Sequence, residues 1–159
     1  MLSNVFFATN RVVNGTGAAC TADLSYYSTI QEAIDASAEG DLITVCQNST
    51  TGYVEDVQVN KTGLRLIGNE SYVFIPSVSS GTAYSMYINA SNVLIQNFEM
   101  TKADANKCVI VDHSNNVTFS GMKLRDCSYA IYVQDNTNNT IVSSSLFNSS
   151  SNYGIHTSG

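Results

Sequence analysis

Asp112, His113 and Arg125 are the residues of this chain best equipped for acid–base chemistry. An imidazole next to a carboxylate can carry a proton near neutral pH, and a guanidinium within reach can hold an anionic group in place. Other chemistries find less. Neither His113 nor His156 stands at a ligand-like spacing from Cys20, Cys46, Cys108 or Cys127, so a zinc site is not expected. What Asp112, His113 and Arg125 can do together depends on the elements that carry them.

Those elements are legible as a repeat. Apolar pairs at i and i+2 recur in three columns. The first holds Ile43/Val45, Val73/Ile75, Phe98/Met100, Met122/Leu124 and Ser145/Phe147. The second holds Val57/Val59, Met86/Ile88, Val109/Val111, Ile131/Val133 and Ile155/Thr157, with steps of 29, 23, 22 and 24 residues. The third holds Leu64/Leu66, Val93/Ile95, Val117/Phe119 and Thr140/Val142, with steps of 29, 24 and 23. Each pair is one short strand with one face inward. Three such strands per turn, stacked on their counterparts in the next turn, make an all-β parallel β-helix of about five coils. A single domain is expected, with a capping region over residues 1–40 and the solenoid over residues 41–159.

In this register Asp112 stacks on Asn89 and Gln134, and His113 on Asp135, which gives one carboxylate per level. No column offers acids in successive coils, so neither a calcium cluster nor a glycosidase pair of carboxylates is expected. Lys123 stacks on Glu99 as a cross-strand charge pair. The expectation is a chain that is not an enzyme and holds no metal or cofactor, with Asp112, His113 and Arg125 as the remaining catalytic candidates.

The outward positions are more informative. They are Gln58, Tyr87, Ile110, Tyr132 and His156 in the second column, and Arg65, Leu94, Thr118 and Ile141 in the third. Tyr87, Ile110 and Tyr132 form one apolar strip and Leu94 and Ile141 another, where a solvated face would be polar. Such strips suit contact with a second protomer, and tyrosines at successive levels suit stacking on sugar rings. Cover by turns or by the strand-like Val5–Thr9 segment is the alternative. Just before the third-column strands, Asn92, Asn116 and Asn139 align as an asparagine ladder.

Composition narrows the setting. Thirteen acidic residues against seven basic ones exclude a phosphate-tracking groove, so no nucleic-acid partner is expected. No apolar stretch approaches the ~18 residues of a membrane span. The opening MLSNVFFATN lacks a basic n-region and is too short in apolar residues for a signal peptide, so a trimmed signal is expected. Asn-x-Ser/Thr sequons begin at Asn14, Asn48, Asn60, Asn69, Asn89, Asn116, Asn138 and Asn148. They mark glycosylation sites of a secreted chain, or arise incidentally from Asn-, Ser- and Thr-rich turns. A laddered Asn116 would be a poor acceptor. Cys20–Cys46 is the expected bridge between cap and first coil, and Cys108–Cys127 either bridges adjacent coils or remains two thiols.

Before the coils, Ser28-Thr29-Ile30-Gln31 reads as a capping box with Ser28 at the N-cap, predicting a helix over 29–38. Ile30, Ala33, Ile34 and Ser37 share its inner face, and Gly40 supplies a left-handed residue after it. This helix followed by Gly40-Asp41, Ile43-Thr44-Val45, Val57-Gln58-Val59-Asn60-Lys61 and Leu64-Arg65-Leu66-Ile67-Gly68 resembles the amino-terminal block of right-handed parallel β-helix proteins of the pectate-lyase-like superfamily. It is most similar to archaeal surface and secreted members, including the NosD type. Val111-Asp112-His113-Ser114 is also similar to the strand motif of pectate lyases that ends in Asp-His, with Val111 where that motif has an aromatic residue. The resemblance implies the right-handed fold and leaves activity open, because the superfamily contains lyases, hydrolases, epimerases and surface-layer proteins.

The chain stops in mid-coil after Ile155-His156-Thr157, so a fragment of a longer solenoid or an end paired with another subunit is expected. Taken together, these readings predict a secreted, glycosylated structural protein of the cell surface, in an envelope layer, sheath or filament, that forms a homo-oligomer or polymer. A carbohydrate-active, lyase-like enzyme and a polysaccharide-binding module using Tyr87 and Tyr132 are the alternatives.

Overall fold

The computed structural model describes residues 8–15, 26–48, 51–69, 73–76, 83–102, 106–134, 136–148 and 153–158. Strands β1 (Asn10–Val13) and β2 (Tyr26–Tyr27) precede the helix α1 (Ile30–Asp35). An incomplete coil follows as β3 (Leu42–Val45) and β4 (Val57–Val59). Four full coils come next: β5 (Arg65–Gly68), β6 (Val73–Ile75) and β7 (Tyr84–Ile88); β8 (Leu94–Gln96), β9 (Phe98–Thr101) and β10 (Lys107–Val111); β11 (Asn115–Ser120), β12 (Lys123–Arg125) and β13 (Tyr129–Val133); β14 (Asn138–Ser143), β15 (Leu146–Asn148) and β16 (Tyr153–Thr157). The strands stack into sheet A, ordered β14-β11-β8-β5-β3-β1-β2, sheet B, ordered β16-β13-β10-β7-β4, and sheet C, ordered β15-β12-β9-β6. All pairings are parallel, so the molecule is the expected all-β parallel β-helix.

The inward residues of the three sheets make one continuous core. Met86, Ile88, Val109, Ile131, Ile95, Phe119, Phe98, Met100, Met122 and Leu124 are all without solvent contact. Burying a side chain of this size stabilises by about 1.5–3 kcal/mol, which is what holds strands of three to six residues in line. At the corner leading into sheet A, Asn92, Asn116 and Asn139 adopt left-handed backbone, with φ of 59°, 56° and 54°. Asparagine tolerates that conformation, and its amide then points along the stack. Asn116 Nδ2 donates to Asn92 Oδ1 at 3.0 Å, and Asn139 Nδ2 donates to Asn116 Oδ1 at 3.1 Å. A parallel rung beside this ladder runs from Asn138 Nδ2 to Asn115 Oδ1 at 3.0 Å.

Two readings of the entrance need correction. Ile43 and Val45 do not begin the column of Val73/Ile75: β3 pairs with β5, Ile43 opposite Leu66 and Val45 opposite Gly68, so they belong to sheet A. On its other side β3 pairs with β1, which extends sheet A. Of the Val5–Thr9 segment, residues 5–7 lie outside the described residues; Thr9 N–H donates to the Asp41 carboxylate at 2.7 Å, at the base of this sheet. The helix is also shorter than 29–38 and starts one residue later than expected. Thr29 is the N-cap, its side chain accepting from Glu32 N–H at 3.1 Å, and Glu32 closes the capping box. Glu32 wins over Gln31 at the third position because its carboxylate accepts both Ser28 Oγ–H, at 2.7 Å, and Thr29 N–H, at 3.2 Å. An anion is favoured at that end of a helix.

Gln31 is thereby released for another task. Its Oε1 accepts from Gln58 N–H at 2.7 Å and its Nε2 donates to Gln58 O at 3.4 Å. The side-chain amide stands in for a strand partner along β4, the outermost strand of sheet B. Glu55 completes the dock, accepting from Ile30 N–H at 2.8 Å and Gln31 N–H at 2.9 Å. Burial pushes the Glu55 carboxyl up in pKa, against the two N–H donors that lower it.

Candidate functional site on sheet B

Asp112 follows β10 at the corner where the chain leaves sheet B. Its carboxylate accepts Tyr87 Oη–H at 2.5 Å and meets His113 Nδ1 at 2.7 Å. With Nδ1–H committed to Asp112, neutral His113 presents Nε2 as an acceptor. The His113 side chain is 69% exposed. The residue sits at φ 46°, and Asn136 in the following coil at φ 62°, which marks a left-handed corner shared between levels.

Arg125 does not join this group. It lies on β12 in sheet C, where it bonds the Glu99 carboxylate, which also holds Lys123 Nζ at 3.7 Å. Arg125 precedes the corner into sheet B whereas Asp112 follows sheet B, so the five-residue span of the strand separates them, roughly 16 Å at the usual rise. Among the described residues no three His, Cys, Asp or Glu side chains cluster as metal ligands.

Tyr87 and Tyr132 do face outward, and they have company that the columns of inward pairs did not reveal. Tyr84, Lys107, Tyr129 and Tyr153 are register partners along the start of sheet B. Their steps of 23, 22 and 24 equal those of Tyr87, Ile110, Tyr132 and His156, so a search for a fourth periodic column would have found them. Tyr84 and Tyr87 have centroids 5.4 Å apart, as do Tyr129 and Tyr132. Tyr132 stacks on His156 at 5.0 Å and Tyr129 on Tyr153 at 5.7 Å. Lys107 Nζ lies 4.8 Å above the Tyr132 ring and 5.8 Å above Tyr129, within the range of a cation–π contact. At the amino-terminal end Gln58 Nε2 donates to Tyr84 Oη at 2.9 Å. The outer face of sheet B is thus a terrace of aromatic rings bordered by polar groups.

This arrangement changes the two apolar strips. Ile110, between Tyr87 and Tyr132 in the ladder, is only 7% exposed. Leu94 on sheet A is half-buried, and Ile141 of the same row is 56% exposed.

The disulfide between Cys108 and Cys127 underlies the terrace, with a Cα separation of 5.6 Å and both residues buried. Asp126, at φ 56°, supplies the bend that brings Cys127 back toward Cys108. Cys46 is disulfide-bonded, and Cys20, its expected partner, lies outside the described residues. Of the sequons, Asn60, Asn69, Asn89 and Asn148 are exposed, and Asn14 is half-buried. Asn48 donates to Gly52 O at 3.1 Å, and the amides of Asn116 and Asn138 are engaged in the ladders.

The bond to Asp112 pushes the Tyr87 phenol up to about 12 from the ordinary 10, with desolvation adding to it. The protonated phenol's contribution to stability is therefore complete below pH 10 and is lost as pH rises through about 12. In an ultraviolet titration Tyr87, together with Tyr53 whose burial also raises it, should ionise after the other tyrosines. In Asp112→Asn the Tyr87 step alone should move back toward the ordinary value, Tyr53 staying raised; an unchanged titration would show that the bond to Asp112 does not set it.

No protein-family model and no curated protein sequence matches the chain. Among the solved structures that share its fold are two pectin methylesterase complexes. One is a pectin methylesterase in complex with hexasaccharide VII, at TM-score 0.54 and 13% identity, over 89% of this chain and 54% of that one. The other is a mutant pectin methylesterase in complex with hexasaccharide IV, at TM-score 0.56 and 14% identity, with the same coverage. The chain spans about half the length of each. At this identity the likeness is one of fold. It is the parallel β-helix fold. The expectation that the chain is not an enzyme, drawn from its single carboxylate per level, is corrected by this finding, since both proteins that share the fold are enzymes.

Proposed function

We propose that this chain is an extracellular carbohydrate-binding β-helix that holds polysaccharide along the outer face of sheet B. The observation that carries the reading is the row of aromatic rings on this face, Tyr84 with Tyr87 in one group and Tyr129, Tyr132, Tyr153 and His156 in another, neighbours within each group lying 5.0–5.7 Å apart and the Lys107 and Ile110 level standing between the groups. Sugar rings present flat C–H faces, which pack on aromatic faces, and ring-bound hydroxyls find partners at Asp112, His113 and Gln58. Successive coils repeat at ~4.8 Å, close to the advance per residue of an extended sugar chain, so several rings can engage several sugars at once. Complexes of the two structural neighbours with hexasaccharides support a carbohydrate context, and the disulfide supports an oxidising compartment. Among the described residues no helix is long and apolar enough to cross a membrane. A glycosylated cell-surface protein with such a face, like the archaeal members that the sequence resembles, would tether its envelope to polysaccharide.

The test is retention on an array of immobilised polysaccharides, acidic and neutral. Binding to at least one class is expected, with Tyr132→Ala weakening it about tenfold, equivalent to about 1.4 kcal/mol, while circular dichroism stays unchanged. Absence of binding to every member of the array by the folded protein would sink the reading.

A further inference from the structure

Resting on the polysaccharide reading above, we infer that the ligand of sheet B is an uncharged chain recognised through ring faces and hydroxyls, and that polyuronates are discriminated against.

Five observations carry this. Among the described residues, the face between the Tyr84 row and the Asp112 corner bears one lysine, Lys107, and one carboxylate, Asp112, so it has no net positive charge to offer. Lys107 lies over the rings of Tyr132 and Tyr129, and moving it to a ligand carboxylate would forfeit those contacts. The Asp112 carboxylate already receives the Tyr87 hydroxyl proton, so Tyr87 offers an acceptor, not a donor, to anything lying beside it. His113 likewise presents an acceptor nitrogen while neutral. These groups suit the donating hydroxyls of a neutral sugar and repel carboxylate oxygens. The chain as a whole carries a net charge of −6, which opposes approach of a polyanion from any direction. A polyuronate spanning four coils would bring about one carboxylate per ~4.8 Å rung against this surface.

The experiment is calorimetric titration of the full chain at pH 7 with oligosaccharides of matched length. Uncharged galactan, mannan and glucan fragments are compared with polygalacturonate at low and at physiological salt. At least one uncharged oligosaccharide should bind roughly tenfold or more tighter than the polyuronate, with little response to salt. Asp112→Asn, which removes the carboxylate from the face, should narrow that preference by improving the polyuronate. Tighter binding of the polyuronate by the unaltered chain, weakening with salt, would overturn the inference and leave the polysaccharide reading standing. A preference that Asp112→Asn does not alter would overturn the electrostatic account. Absence of binding to all probes would remove both the inference and the reading beneath it.

Discussion

Met122→Asp abolishes the folded state. Met122 has no solvent contact and belongs to the inward row of sheet C, while both of its backbone polar groups are tied to the next coil: its carbonyl accepts Leu146 N–H at 2.7 Å and its N–H donates to Ser145 Oγ at 3.2 Å. The side chain therefore cannot turn outward without breaking the ladder into the next coil. An uncompensated carboxylate in an apolar interior costs several kcal/mol, a large share of the ~5–15 kcal/mol that holds a domain together. Circular dichroism should show loss of β-structure, whereas Met122→Leu, which conserves volume and polarity, should cost under about 1.5 kcal/mol. A folded Met122→Asp protein with an unchanged denaturant midpoint would mean that the core around sheet C is not sealed.

Removing the bridge by Cys108→Ala with Cys127→Ala should lower stability by about 3 kcal/mol, the chain-entropy value for a loop of this order. The two residues are 19 apart in sequence and both buried, so the substitution also removes packed sulfur from the core. At ~2–4 °C per kcal/mol, a fall of roughly ten degrees in Tm is expected; reduction of the unaltered protein, which also opens the bridge of Cys46, should lower Tm at least as far. A change well under ~1 kcal/mol would show that the coil stack alone fixes these corners. Because Lys107 and Tyr129 flank the bridge, loss of the disulfide should also loosen the terrace before it unfolds the coils.

The second and third columns were readable from sequence because a buried strand face admits little besides aliphatic residues, and Val57, Met86, Val109, Ile131 and Ile155 stack as their spacing implies. The first column failed at its first member for a physical reason. The coil between β5 and β8 is long, with steps of 29 in two columns, and the 30 residues from Ile43 to Val73 imitate such a step. The true partner of Ile43 is Leu66, 23 residues on, which becomes visible only once β1 is seen to continue the same sheet. At the helix, Ser28 and Thr29 are both competent caps, and the choice is made by the Glu32 carboxylate. At the site, Tyr87 and Tyr132 were legible, whereas Tyr84, Lys107 and Tyr129 lie outside the columns of inward apolar pairs and emerge only as a fourth column with the same steps. The separation of Arg125 from Asp112 follows from which side of a sheet each corner occupies, which neighbouring sequence numbers conceal.

Every strand of the coil stack pairs with one 22–29 residues away, and no hairpin exists among the described strands to form first. Each new coil must close a loop of nearly constant size, with a mean separation of roughly 0.15 of the chain length, a value typical of moderate folding rates. The amino-terminal dock makes these closures unequal. Glu55 and Gln31 tie the helix to residues 24–27 positions away before any coil is complete, so winding has a preferred origin and a direction. Synthesis from the amino terminus delivers the chain in that same order, and each coil can settle on a finished one as it emerges.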